Sequence, residues 1–122
     1  MESQELFDTV VAHLRLQGRR SINESNETCM YRGPNGLKCA IGVVFSDDEY
    51  HPTMENQTIC RLIGSGHFPH LFQHKTLLER LQAVHDHNAP DAWEYELNLV
   101  AEDFCLKFDK KPGYDYDGSR DL

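Results

Sequence analysis

The residues with the clearest chemical potential surround a short segment rich in glycine and proline. The run Gly33-Pro34-Asn35-Gly36 predicts a tight turn, because Gly36 can adopt a positive φ and Pro34 fixes its own φ. A hairpin around this turn brings Arg32 close to Lys38. An arginine fork, a lysine point charge and the turn amides together suit a phosphate or a carboxylate. The segment therefore predicts an anion site.

Two aromatic residues extend this hypothesis to a nucleotide. Tyr31 precedes Arg32, Trp93 opens a later helical pattern, and either ring could stack on a base. The candidate ligand-binding residues are therefore Tyr31, Arg32, Lys38 and Trp93. In the alternative interpretation, Arg32 and Lys38 pair with acidic side chains of the protein itself.

Cys39 is a candidate for covalent chemistry. If a short helix begins at this residue, its N-terminus and Lys38 would both stabilise a thiolate. His85 or His87 would then act as the base, with Asp86 beside them. No known active-site signature surrounds Cys39, so the alternative is a thiol packed in the core.

Metal binding is not favoured by the histidine pattern. Among the seven histidines, the closest spacings are those of His67, His70 and His74, and of His85 and His87. Structural zinc requires about four ligands, and no pair of cysteines stands at the usual ligand spacing. We therefore predict no metal site and no cofactor.

Size and composition predict one globular domain over residues 1–108, followed by an acidic, flexible tail over 109–122. The chain contains no apolar run of membrane-spanning length, and its acidic, polar N-terminal residues are unlike a secretory signal. We therefore expect a soluble protein of the cytoplasm with no membrane partner. The four cysteines are expected to be thiols there, although a hairpin would permit a disulfide between Cys29 and Cys39.

The net charge of −8 makes nucleic acid an unlikely partner, because nucleic-acid binding usually needs a basic surface. The charge is also distributed unevenly. From Arg15 to Lys38 there are five basic and two acidic residues, whereas from Asp86 to Asp103 there are six acidic residues and no Lys or Arg. This asymmetry is typical of electrostatic recognition of a partner.

Apolar periodicity and capping residues predict helices over 3–17, 53–63, 76–87 and 90–108. The apolar run 39–45 fits either a buried strand or a short helix, and we favour the helix because Ala40 and Gly42 permit close packing. Short strands are expected at 28–32 and 37–38, on the two sides of the predicted turn. The fold predicted from these elements is α+β: a small, mostly helical single domain, with about five helices around a short β-hairpin.

The last predicted helix carries two apolar stripes on opposite sides. The second stripe and the acidic residues beside it form a candidate partner-binding face, made of Tyr95, Glu96, Leu99, Asp103 and Leu106. A partner protein or a second copy of the chain would fit such a face. In the alternative interpretation, the helix runs through the centre of the domain and both stripes are buried.

The run Cys-x-Tyr-Arg-Gly-x-x-Gly-Leu-Lys-Cys-Ala-x-Gly from Cys29 to Gly42 resembles an uncharacterised family of small proteins from tailed bacteriophages and bacteria. Weaker similarity covers residues 50–55, residues 81–86 and Trp93. The resemblance implies a phage-like accessory protein in a bacterial host, and it implies no particular functional residues.

These observations lead to three functional hypotheses. The first is a non-enzymatic protein that binds and modulates or inhibits a host protein, in host takeover or anti-defence. The second is a binder of a nucleotide or another small anion through the Arg32/Lys38 hairpin. The third is a Cys–His enzyme that uses Cys39 as its nucleophile.

Overall fold

The computed structural model describes residues 2–23, 25 and 28–116. Within these residues the chain forms four α-helices: α1 (Ser3–Gln17), α2 (Ile59–Gly64), α3 (Lys75–His87) and α4 (Trp93–Asp103). Helix α3 lies at the centre of the domain, since it contacts each of the other three.

Helix α1 has the predicted bounds, because its sequence carries both its start and its end. Glu2 and Glu5 form a reciprocal capping box at the N-terminus, and Gly18 ends the helix in the left-handed conformation with φ 67°. The stripe that faces the core consists of Leu6, Phe7, Val10, Val11 and Leu14.

Four short 3₁₀ helices connect the longer elements, and each of them begins with a proline. They span Pro34–Gly36, Pro52–Met54, Pro69–His74 and Pro90–Ala92. Proline suits this position because its fixed φ matches the first turn, where its missing N–H would have no acceptor within the helix.

The predicted α+β class is wrong. The described residues are 54% helical and contain no β-strand, so the fold is all-α. In place of the predicted hairpin there are two isolated antiparallel bridges, Ile22 with Cys29 and Arg32 with Lys38. Cys29 therefore pairs with Ile22 rather than facing Cys39, and all four cysteines are free thiols.

The hairpin does not extend because side chains take the hydrogen-bonding groups that a second strand would use. The backbone N–H groups of Tyr31 and Arg32 donate to the carboxylate of Glu55. On the returning chain, the backbone N–H of Lys38 donates to Gln17 Oε1. The predicted helix over 39–45 is replaced by a series of turns, in which Gly42 lies directly against the backbone of Tyr31.

Two other helices are shorter than predicted, for local reasons. The helix expected over 53–63 begins only at Ile59, after Asn56 adopts φ 67° and Thr58 caps the first turn through its hydroxyl. The helix expected to reach residue 108 ends at Asp103, because Cys105 takes a left-handed φ of 55°.

Residues 109–116 lie against α1 and α4. Arg15 on α1 donates to Asp109 O, and it also forms a bidentate ion pair with Glu94 on α4 at 2.7 and 2.8 Å. The hydroxyl of Tyr116 donates to the same Glu94 carboxylate. The remainder of the predicted tail, residues 117–122, lies outside the described residues.

Candidate functional site

The guanidinium of Arg32 is fully engaged by the protein itself. It donates to the backbone carbonyls of Gly42 and Phe45 and pairs with the carboxylate of Asp47. It also lies over the rings of Phe45 and Tyr50, 5.1 and 5.3 Å from their centroids. The hydrogen bond from Arg32 lowers the pKa of Asp47, as expected for a carboxylate held by a cation. These contacts match the alternative in which Arg32 pairs with an acid of its own chain.

The carboxylate of Glu55 binds the backbone immediately before the predicted turn. It accepts the backbone N–H of Tyr31 at 2.9 Å, the backbone N–H of Arg32 at 3.1 Å and the hydroxyl of Tyr50 at 2.7 Å. Burial is the main cause that raises the pKa of Tyr50 to about 12, and the hydrogen bond to Glu55 is the second cause. This hydroxyl therefore stays a donor. The amides of the two residues that precede the turn therefore have an internal ligand.

The structure does not bring the four predicted ligand-binding residues to one open surface. The backbones of Arg32 and Lys38 do face each other across the turn, as the turn residues predicted. Trp93, however, is only 3% exposed; it stacks on the buried His85, and its indole N–H donates to the Asn88 carbonyl.

A pocket of about 430 Å³ lies between α3 and the segment that leads into α2. We call it the α2–α3 pocket. One wall comes from α3, through Glu79, Gln82, Ala83, Asp86 and His87; the opposite wall is residues 56–60, with Cys29 and Tyr31 completing the lining. Its volume falls in the range of about 300–1,000 Å³ that is usual for small-molecule sites. Of the four predicted ligand-binding residues, Tyr31 alone lines it.

A partly buried polar network surrounds the carboxylate of Asp86 in the lining of this pocket. Gln82 donates to both oxygens, at 2.9 and 3.0 Å, and the thiol of Cys29 also hydrogen-bonds this group. Burial alone would raise the pKa of Asp86, but hydrogen bonds from His85 and Gln82 outweigh it and hold the pKa below its usual range. Asp86 is therefore ionised at neutral pH.

His85 connects the network to the segment before the turn. Its ring is completely buried; Nε2 accepts the backbone N–H of Ser21 at 2.9 Å, while Nδ1 lies 2.7 Å from Asp86 Oδ1. Because Nε2 accepts a hydrogen bond, the ring proton is assigned to Nδ1, which donates to Asp86. The hydrogen bonds thus fix the histidine tautomer.

This tautomer bears on the one cluster of possible metal ligands found among the described residues, formed by Cys29, His85 and Asp86 with donor atoms within 4.8 Å of one another. A metal requires a free lone pair on the histidine nitrogen. Neither nitrogen of His85 offers one, since one carries the proton and the other accepts from Ser21. The cluster as folded does not fit a metal ion.

The thiol of Cys39 lacks the surroundings of an activated nucleophile. It is completely buried, and burial raises its pKa to about 12. Its sulfur accepts the backbone N–H of Gly42 at 3.2 Å, and of the two bases proposed for it, His85 uses both ring nitrogens elsewhere. Reactive cysteines have a lowered pKa and partial exposure, and Cys39 has neither property.

The predicted partner-binding face on α4 is partly covered by the protein itself. Tyr95, Glu96, Leu99 and Leu106 are half-buried. Asp103 is exposed and forms an ion pair with Arg80 at 2.8 Å. Among the described residues, the large apolar side chains classed as exposed are Leu16 and Phe72, and neither belongs to α4. Partner binding on this face stays a prediction.

None of the described helices has both the length and the apolar character needed to cross a membrane. No family model, no curated protein and no solved structure matches this chain. The resemblance to the phage family therefore stays a prediction, and functional reasoning rests on the site itself.

The sequence analysis did not predict a role for Glu55 or Gln82, although the sequence contains a weak indication of each. Gln82 and Asp86 stand four residues apart beside a histidine, a spacing that places both on one helix face. Glu55 gave a weaker signal, because its partners Tyr31 and Arg32 lie more than 20 residues earlier in the chain.

Proposed function

We propose that this chain is a non-catalytic binding protein that holds a small ligand in the α2–α3 pocket. The observation that carries the proposal is the combination of a 430 Å³ cavity with an ionised carboxylate, Asp86, in its lining. Apolar groups from Ile59, Ala83 and Tyr31 share the lining with polar ones. This mixture is typical of pockets that bury an organic ligand and orient it through a few polar contacts.

The same residues argue against catalysis. Burial raises the pKa of the Cys29 thiol, although Arg20 donates to its sulfur at 3.3 Å. His85 is held by its two hydrogen bonds and is not poised to exchange a proton with a ligand. A nucleophile needs an adjacent base that can take its proton, and the pocket does not supply that pair.

This proposal relocates the small-ligand hypothesis of the sequence. The guanidinium of Arg32 pairs with Asp47, and the backbone N–H groups of Tyr31 and Arg32 donate to Glu55, so these groups are not open to a bound anion. Tyr31 itself lines the α2–α3 pocket, and its hydroxyl donates to the Gln57 carbonyl in the pocket wall. The turn thus supports the pocket instead of binding the ligand.

Ligand binding can be tested by the alkylation of cysteines inside and outside the pocket. Cys29 and Cys60 line the pocket, whereas Cys105 is exposed and lies outside it. The purified protein is mixed with the low-molecular-mass fraction of a bacterial extract and then treated with iodoacetamide. Mass spectrometry should show slower modification of Cys29 and an unchanged rate at Cys105.

A pocket-filling variant provides the control. Ala83→Trp places a large ring in the cavity and should abolish the protection of Cys29, whereas Leu16→Trp adds the same ring at a position 90% exposed and should preserve it. If no fraction of the extract slows alkylation of Cys29 in the wild-type protein, the proposal is wrong.

Modulation of a host protein in a bacterial cytoplasm is a separate proposal that rests on sequence alone. It is supported by the charge asymmetry and by the phage-like resemblance, and its candidate surface includes Leu99 and Glu96 on α4. A pull-down from host lysate with wild-type protein and with Leu99→Asp tests it. Equal recovery of every protein by both baits would contradict the assignment of this surface.

A further inference from the structure

The charges that line the α2–α3 pocket indicate the chemical class of its ligand. Among the described residues of its lining, two are carboxylates, Glu79 and Asp86, and none is Lys or Arg. The one other lining side chain with an ionisable nitrogen is that of His87, which lies at the exposed end of α3. The ammonium of Lys75, which is outside the lining, lies 4.0 Å from the carboxylate of Glu79. The lining itself offers a phosphate or carboxylate ligand no Lys or Arg side chain.

The charge of Asp86 has no counter-ion from a basic side chain within the described network. The hydrogen bonds to its carboxylate come from the amide of Gln82, the imidazole of His85 and the thiol of Cys29. Arg20, the nearby cation, donates to the backbone carbonyl of Asp86 and to the sulfur of Cys29, and not to the carboxylate. Within the described residues, the carboxylate is thus hydrogen-bonded without a Lys or Arg partner.

A metal ion is not the counter-ion, because the tautomer of His85 removes one of the three possible ligands. The pocket is also far larger than a metal site needs, and part of its wall is apolar. An organic cation fits both the acidic and the apolar parts of the lining, since its charged nitrogen can face the carboxylates while its carbon chain contacts Ile59 and Ala83.

From these observations, and resting on the proposed function, we propose that the ligand is a small organic cation. Its primary ammonium or guanidinium group faces Asp86 and Glu79, and its aliphatic part lies along the apolar wall. A charged nitrogen with several N–H donors supplies both the charge and the hydrogen bonds that this wall can accept.

A matched series of ligands tests the class. Putrescine, 1,4-butanediol and succinate share a four-carbon chain and differ in charge, and agmatine replaces one ammonium of putrescine with a guanidinium. Each is titrated at millimolar concentration, with the amide resonances of Gln82 and Ala83 and the alkylation rate of Cys29 as readouts. Putrescine and agmatine should shift the resonances and protect Cys29, whereas butanediol and succinate should not.

Variants locate the charge that matters. Asp86→Asn should weaken putrescine binding by about tenfold, the size expected for loss of one charged hydrogen-bond partner. Because Asp86 belongs to a partly buried network, Glu79→Gln provides a second variant at a half-exposed position, with a smaller loss expected. Asp48→Asn removes one charge from an exposed position outside the pocket lining and should leave binding unchanged.

The outcomes separate the ligand class from the proposed function. If succinate or butanediol binds as well as putrescine, or if the extract component that protects Cys29 is neutral or anionic, the cation assignment is wrong and the binding function stands. If neither cation binds, the assignment is likewise wrong. If the extract also fails to protect Cys29, the proposed function fails with it.

Discussion

Gly42→Ala should disrupt the segment that supports the α2–α3 pocket. A Cβ atom at residue 42 would lie 1.9 Å from the carbonyl oxygen of Tyr31 and 2.9 Å from its carbonyl carbon. Neither side can move freely. The Gly42 carbonyl accepts from Arg32 Nε and its N–H donates to Cys39 Sγ, while Glu55 holds the backbone N–H of Tyr31.

The expected loss of stability depends on which atoms the new Cβ would collide with. Added methyl groups in a packed interior typically cost about 1–3 kcal/mol, and the lower values apply where a flexible side chain can give way. Here the obstacle is backbone held by hydrogen bonds on both sides of the contact. We therefore expect Gly42→Ala to lower the free energy of unfolding by about 3 kcal/mol.

Urea unfolding is the assay, followed by the fluorescence of Trp93, the single tryptophan, which is buried. Gly64→Ala is the matched control, because a Cβ at Gly64, at the end of α2, has no neighbour within 4 Å. It should be neutral or stabilising by up to about 1 kcal/mol. A Gly42→Ala protein within about 0.5 kcal/mol of wild type would refute the reasoning.

Three further results are expected. Cys60, which is exposed, should react with iodoacetamide in the folded protein, whereas Cys39, buried and with its pKa raised to about 12, should react only after unfolding. Arg15→Ala leaves the carboxylate of Glu94 buried without its cation and should cost about 3 kcal/mol in urea unfolding. Burial lowers the pKa of His13, so the unfolded chain binds a proton first, and stability measured by thermal unfolding should fall as pH drops below about 6.5.

Each result has its own control. Equal alkylation rates for the two cysteines would contradict the burial of Cys39. The double variant Arg15→Met with Glu94→Leu should recover much of the lost stability, because it removes both charges. If it does not, the loss in Arg15→Ala comes from lost packing and not from the unpaired carboxylate of Glu94. His13→Gln should flatten the stability profile between pH 7 and the point where carboxylates titrate, and an unchanged profile would assign the effect to another group.

The sequence predicted α1 almost completely and placed α3 within one residue, for a common reason. Both helices carry a strong apolar stripe, and α1 also has its end signals within a few residues of its termini. The sequence could not show whether the predicted hairpin would form a β-ladder. Whether a strand pair extends beyond a turn depends on competing acceptors, and here Glu55 and Gln17 supply them from distant positions.

The candidate site was predicted in part. The turn residues correctly indicated that Arg32 approaches Lys38 across the turn. They could not show that Asp47 and Glu55 would satisfy the charges and amides gathered there, because those contacts depend on how separate loops pack together. The pocket itself arises between α3 and a loop, so no single stretch of sequence encodes it.

The substitution of side-chain acceptors for a β-ladder has a consequence for native-state dynamics. Amides of Tyr31, Arg32 and Ile41 are protected only while Glu55 and Gln82 remain in place, so their hydrogen exchange is coupled to the side chains of distant elements. We expect such a region to open at a lower free energy than the helices, so that its amides exchange before the helices separate. Since Tyr31 is part of the pocket wall, we expect such an opening to change the shape of the α2–α3 pocket without global unfolding.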